Sequence, residues 1–151
     1  MKEASIEDGK KRVRAYALRS GQGWVYRFGI DFTLKAREVR ESGGAAVLEY
    51  TTKKGEEPSD HVHPTEDEMF YVLEGAIRFR CANETFELEK GGFVFLPRGI
   101  KHGYTILSDG PVRLLVVTSP VRDEASVGWG GFVADMELGQ GQLVAQPKPA
   151  S

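Results

Sequence analysis

The sequence predicts an all-β chain, a sandwich or barrel, and three observations carry that prediction. Apolar residues recur with a period of two, as in Ala46, Leu48 and Tyr50 against Val47, Glu49 and Thr51, the pattern of a strand with one buried face. The alternating stretches are short, roughly four to eight residues, with turn residues between them, which suits packed antiparallel sheets and not strands alternating with helices. Eighteen of the 151 residues are glycine, and most fall in those turns, where positive φ or close backbone approach is needed.

Taken in order, residues 1–12 (MKEASIEDGKKR) are polar and charged and predict a flexible N-terminal arm. A barrel domain is expected over 13–122. Val13, Ala15 and Ala17 alternate with Arg14, Tyr16 and Leu18, which predicts a first weak strand ended by Ser20-Gly21-Gln22-Gly23. Trp24 to Leu34 is rich in aromatic and branched residues and predicts one or two strands broken near Gly29. Arg37 to Glu41 fits a charged helical turn or a loop ending at Gly43-Gly44. Further strands are expected from Ala45, at His61 to His63, and over Asp67 to Leu73, Ala76 to Ala82 and Thr85 to Leu88. Phe93 to Leu96, His102 to Leu107 and Val112 to Thr118 complete the set, separated by Pro97-Arg98-Gly99 and Ser108 to Pro111. Residues 123–151 lose strand periodicity and read as a C-terminal extension, with a short helix possible over Phe132 to Leu138 and a disordered end.

Composition narrows the function classes. A net charge of −2 from 20 basic and 22 acidic residues offers no field attractive to nucleic acid or an anionic membrane. The basic cluster Lys10, Lys11, Arg12 and Arg14 reads as a solvated arm. No apolar run exceeds Met69 to Leu73, far short of the ~20 residues that span a bilayer. No apolar leader core follows Met1, so a cytoplasmic location is expected. The one cysteine, Cys81, excludes an intrachain disulfide and alternates with Ile77 and Phe79, the place of a small buried residue.

The chemistry concentrates in two stretches, Gly55 to Gly75 and Gly91 to His102. All three histidines lie there: His61, His63 and His102. On a strand, the i, i+2 spacing of His61 and His63 sends both imidazoles to one face, whereas on a helix they point about 200° apart. Glu68 follows past Pro64 and the acidic turn Thr65-Glu66-Asp67, where a returning strand brings its carboxylate to the same face. Imidazoles with one carboxylate form a donor set suited to divalent iron, manganese, nickel, copper or zinc.

These stretches resemble the two motifs of the cupins. Gly55, His61, His63, Glu68 and Gly75 match the first, and Gly91, Pro97, Gly99 and His102 match the second. The asparagine often found four residues beyond the last histidine is replaced here by Ile106. The resemblance implies an antiparallel jelly-roll barrel with a divalent transition metal held by His61, His63, Glu68 and His102, and it suggests a homodimer.

Alternation places Phe70 and Val72 on the face of Glu68, and Tyr104 and Ile106 on that of His102. Phe70, Phe79, Tyr104 and Ile106 are therefore the expected substrate pocket, with Ile77, Phe86, Phe93 and Phe95 as further candidates for its wall. An apolar aromatic pocket beside a metal suits a small planar ligand coordinating through one or two oxygens. The ligand pattern also resembles quercetinase-type dioxygenases, which implies a phenolic or enolic substrate such as a flavonol, dioxygen as co-substrate, and Glu68 as a metal ligand or the base that takes the hydroxyl proton. Metal-dependent isomerases, epimerases and decarboxylases, and proteins that only bind small molecules, are built on the same fold and stay open at this point.

Overall fold

The computed structural model describes residues 6–7, 10–11, 14–123 and 142–147. Most of the expected N-terminal arm, the helix expected over Phe132 to Leu138 and most of the C-terminal extension lie outside them. Among the described residues there is no helix, and none is long and apolar enough to cross a membrane.

The strands run in chain order as β1 (Ile6–Glu7), β2 (Lys10–Lys11), β3 (Trp24–Phe28), β4 (Ile30–Glu38), β5 (Gly44–Thr52), β6 (Asp67–Glu74), β7 (Ala76–Cys81), β8 (Glu84–Glu89), β9 (Phe93–Leu96), β10 (His102–Ile106), β11 (Val112–Val121) and β12 (Gln142–Ala145). Among the described residues β1 and β2 pair only with each other; β10-β7-β8 form a three-stranded sheet and β12-β3-β4-β5-β11-β6-β9 a seven-stranded one. Every pairing is antiparallel. The two larger sheets face each other across one core, the jelly-roll arrangement expected.

Alternation decides what that core contains. On β5, β6, β10 and β11 every second residue is buried, so Leu48, Tyr50, Phe70, Val72, Tyr104, Ile106, Leu114 and Val116 meet between the sheets with Ile77 and Phe79 of β7. Each fully buried aliphatic or aromatic side chain contributes about 1.5 to 3 kcal/mol relative to exposure, and this interior anchors the fold. Gly75 makes the sharp corner between β6 and β7 at φ +89°, where a Cβ would strike Val112 and the Pro111 carbonyl. Only glycine accepts both the conformation and the contact.

Four expectations are corrected. Arg14 to Leu18 forms no strand: two alanines supply too little apolar surface to hold an edge. Arg37 and Glu38 end β4, with a turn at Glu41-Ser42, so that stretch is strand and loop with no helical turn. His61 to His63 makes a single bridge at His61 instead of a strand, because Pro58 and Pro64 flank it without N–H groups to offer a ladder. Phe93 and Phe95 face outward, 56% and 50% exposed, since Val94 and Leu96 take the inner positions of β9. Phe86 lies opposite Phe79 but on the edge strand β8, where the facing sheet leaves it 38% exposed. Cys81 is buried and unpaired, as expected.

Candidate metal centre

The two motif stretches are brought together by backbone and charge contacts at one end of the barrel. His61 and His102 exchange both backbone hydrogen bonds, each 2.9 Å, and the Gly99 N–H donates to the His63 carbonyl at 2.8 Å. Asp67, at the start of β6, accepts from the Arg98 backbone N–H at 2.9 Å and from its guanidinium at 3.2 and 2.9 Å. That clamp ties the strand carrying Glu68 to the turn leading into His102. Asp60 lies where a side chain on Gly103 would stand, and Arg80 holds it with an ion pair of 2.8 Å. A glycine between His102 and Tyr104 thus lets the loop carrying His61 lie flat on β10.

Four side chains converge as a result. The donor atoms of His61, His63, Glu68 and His102 lie within 4.8 Å of one another. His63 Nε2 stands 3.5 Å from one Glu68 oxygen and His102 Nε2 3.2 Å from the other. The three imidazole centroids are 4.8, 4.8 and 5.2 Å apart. Two donors on one ion with bonds of ~2.1 Å stand at most about 4.2 Å apart, so a small inward movement of the widest pair seats a single ion. His61 Nδ1 lies 2.7 Å from the Ser59 carbonyl; a carbonyl only accepts, so Nδ1 carries the proton and Nε2 keeps its lone pair for a metal.

The fit to a cation is also electrostatic. The ring nitrogens of His63 and His102 are buried without a hydrogen-bond partner, a cost that coordination would offset. His63 is held below the usual histidine range, chiefly by burial and with help from the neighbouring histidines, against the pull of Glu68. It is therefore neutral at neutral pH, the form that binds metal.

Sequence reasoning brought these four residues together and missed three others. Glu66, read from the sequence only as part of an acidic turn, is fully buried. Burial, with Glu68 and Asp123 nearby, raises its carboxyl to about 7. The Thr118 hydroxyl beside it offsets part of that rise without completing a hydrogen bond, so both carboxyl oxygens and the hydroxyl are unpartnered. The available signal was alternation, since Glu66 and Glu68 share one face. The third is Tyr50, whose hydroxyl meets that of Tyr104 at 3.0 Å. Burial pushes Tyr104 up to about 12 and Tyr50 well above its ordinary value. Phe70, Phe79, Tyr104 and Ile106 are all buried on the inward face, the three rings 5.0, 6.1 and 5.8 Å apart.

The chain is similar to several known proteins. The chain is 30% identical over 85 residues to the polyketide synthase CurC of Streptomyces cyaneus, covering 56% of this chain and 53% of that one. It is 28% identical over 109 residues to the quercetin 2,3-dioxygenase of Bacillus subtilis, covering 72% of this chain and 32% of the relative. The chain spans about half the length of the first curated relatives it matches. In fold it is similar to an RmlC-like cupin from Shewanella frigidimarina, with a TM-score of 0.60 at 18% identity over 74% of this chain and 96% of the other. Residues 48–118, which contain both motif stretches and all four converging side chains, match the cupin domain, and the chain belongs to the cupin family.

Proposed function

We propose that this chain is a metal-dependent oxidoreductase, a dioxygenase acting on a small phenolic or enolic molecule such as a flavonol. The observation that carries the reading is the four-donor cluster set against a buried aromatic wall. Similarity to a quercetin 2,3-dioxygenase over most of this chain supports it. So do the relatives named as polyketide synthase proteins, because polyketide carbon chains are rich in enols and phenols.

His61, His63 and His102, with Glu68, would hold a divalent transition ion: iron, manganese, nickel, copper or zinc. Such an ion would supply Lewis acidity toward a substrate oxygen. Glu68, close to two of the histidines, would take the proton of a phenol or enol as its oxygen becomes an anion. Phe70 and Phe79 would keep water from the reacting carbon. A cytoplasmic homodimer is the assembly this reading favours. Tyr71 and Phe93, paired in register on the outer face with the exposed Phe95 beside them, offer it an apolar contact surface, and sedimentation velocity showing only monomer would remove it.

The test is oxygen consumption by metal-loaded protein with a panel of phenols and enols, repeated with Glu68→Gln. The amide keeps the shape of the carboxylate but cannot act as a base, so the variant should retain most of its metal on three histidines and lose 10²-fold or more in turnover, the usual scale for a general base. Wild-type turnover in metal-loaded Glu68→Gln would sink the assigned role. Conversion of substrate under nitrogen would move the chain to the isomerases.

A further inference from the structure

We propose that Glu66 is the charge-compensating carboxylate of the metal centre: it does not bind the ion, but it balances the positive charge that His61, His63, Glu68 and His102 leave on it. The inference rests on the metal-centre reading above and is independent of the reaction that the centre carries out.

Glu66 stands just before β6, and burial alternates from it: Glu66, Glu68 and Phe70 are buried, while Asp67 and Met69 are partly open. Glu66 and Glu68 therefore share the inward face, about 6.8 Å apart along the chain. Thr118 of β11 pairs in register with Glu68, and its hydroxyl lies beside the Glu66 carboxyl. Glu66 and Thr118 are both 0% exposed, and neither the two carboxyl oxygens nor the hydroxyl has a hydrogen-bond partner. The charged groups that Glu66 feels are carboxylates, Glu68 and Asp123, and among the described residues no cation pairs with it. Asp123 is exposed, so water screens its charge.

Imidazoles bind a metal in their neutral form. A divalent ion on three of them and one carboxylate thus keeps one positive charge, in a place where Glu68 and His102 are each 3% exposed and water screens little. A buried charge without a counter-charge is costly, and so is a buried carboxylate without a partner. Each supplies what the other lacks: one divalent ion, Glu68 and Glu66 sum to zero charge. Glu66 acts from outside the ligand set, because the donors that converge within 4.8 Å are those of His61, His63, Glu68 and His102. The Thr118 hydroxyl then has an acceptor for its proton and holds the carboxylate beside Glu68.

The experiment is titration of metal-free protein with zinc against a chromogenic chelator at neutral pH, in the wild type, in Glu66→Gln and in Glu66→Asp. Glutamine keeps the shape and removes the charge; aspartate keeps the charge on a shorter stem. Glu66→Gln should bind zinc about tenfold to a hundredfold more weakly, the usual scale for a group just outside the ligands of a metal. Glu66→Asp should recover to within about threefold of wild type. Loaded with cobalt in place of zinc, wild type and Glu66→Gln should show the same visible absorption bands, because the four ligands are unchanged. Zinc affinity within about twofold of wild type in Glu66→Gln overturns the proposal. So does a Glu66→Asp as weak as Glu66→Gln, since packing and not charge would then be what the glutamine loses. Shifted cobalt bands in Glu66→Gln overturn it as well, by making Glu66 a ligand. A wild type that binds no ion removes the metal-centre reading and this proposal together, whereas equal affinities remove this proposal alone. None of these readouts uses a substrate or dioxygen, so the assigned activity and the role of Glu66 fail separately.

Discussion

Where Ile77 and Ile106 pair between β7 and β10, beside Val72 and Val112, the barrel is filled with aliphatic side chains that have nothing to hydrogen-bond. At the other end, His102, Glu66 and Thr118 are buried to a similar degree and His63 is half-buried with its ring nitrogens covered, yet their side-chain polar atoms lack partners. The apolar end has one comparable orphan among the described residues, the Thr52 hydroxyl. An unpartnered buried polar group costs about 1 to 3 kcal/mol, so the metal end carries a net penalty that the apolar end must offset. The contrast teaches where selection for function has overridden selection for stability: orphans clustered at the motif residues mark a place built for something outside the chain.

The largest expected effect breaks the comparison from the apolar side. Phe79 is fully buried against Phe70 and Tyr104, and Phe79→Ala should lower stability by about 3 to 5 kcal/mol, the range for a core aromatic truncated to alanine. Urea unfolding of metal-free protein measures it. A loss below about 1 kcal/mol would mean that the interior collapses around the gap and that the anchor lies elsewhere.

Glu66 sharpens the comparison from the polar side. Its carboxyl is raised in the folded chain to about 7, whereas an unfolded glutamate titrates near ~4.3. The folded state therefore holds a proton that the unfolded state has already released, and stability falls with pH between those values. The advantage of protonated Glu66 is fully present below about pH 4.3, is lost as the pH climbs through about 7 and is flat above, a total of at most about 4 kcal/mol. Metal-stripped protein unfolded across this range should show the decline, and Glu66→Gln should flatten it. Equal slopes for the two would show that Glu66 is not the group responsible. Bound cation would pull the carboxyl down, so metal-loaded protein should show a smaller decline.

What the sequence disclosed and what it concealed follow the same contrast. Strands such as β5 and β7 were legible because apolar residues alternate with polar or smaller ones, and a one-residue error would turn a whole buried face outward. The ligand set was legible because the spacings of His61, His63, Glu68 and His102 admit few geometries. Phe93 to Leu96 is four apolar residues in a row, so periodicity had no means of choosing which pair faces inward; Val94 and Leu96 do. The burial of Glu66 was concealed by composition, because an acidic run reads as solvated until the register of β6 is known. The partnership of Tyr50 and Tyr104 joins residues 54 positions apart in different sheets, and no local pattern records it.

The last prediction asks whether the two ends are as separable as this contrast requires. His102 sits where they meet: its backbone pairs with Cys81 within the three-stranded sheet and with His61 in the loop, while its ring belongs to the ligand cluster. In His102→Ala the backbone bonds can persist, but the buried cluster loses one of four donors. A ligand that binds only the folded state stabilises it by about 2.7 kcal/mol at a hundredfold excess over its dissociation constant. Wild type should accordingly melt higher on addition of its metal, and His102→Ala should lose both that increment and stoichiometric metal by elemental analysis. Without metal, the variant should melt no lower than wild type, because alanine removes an imidazole whose buried nitrogens have no partner. If metal-free His102→Ala were instead severely destabilised, the imidazole would be part of the structural core and the division between a stabilising end and a functional end would fail. Full metal occupancy in the variant would reject the four-residue centre itself.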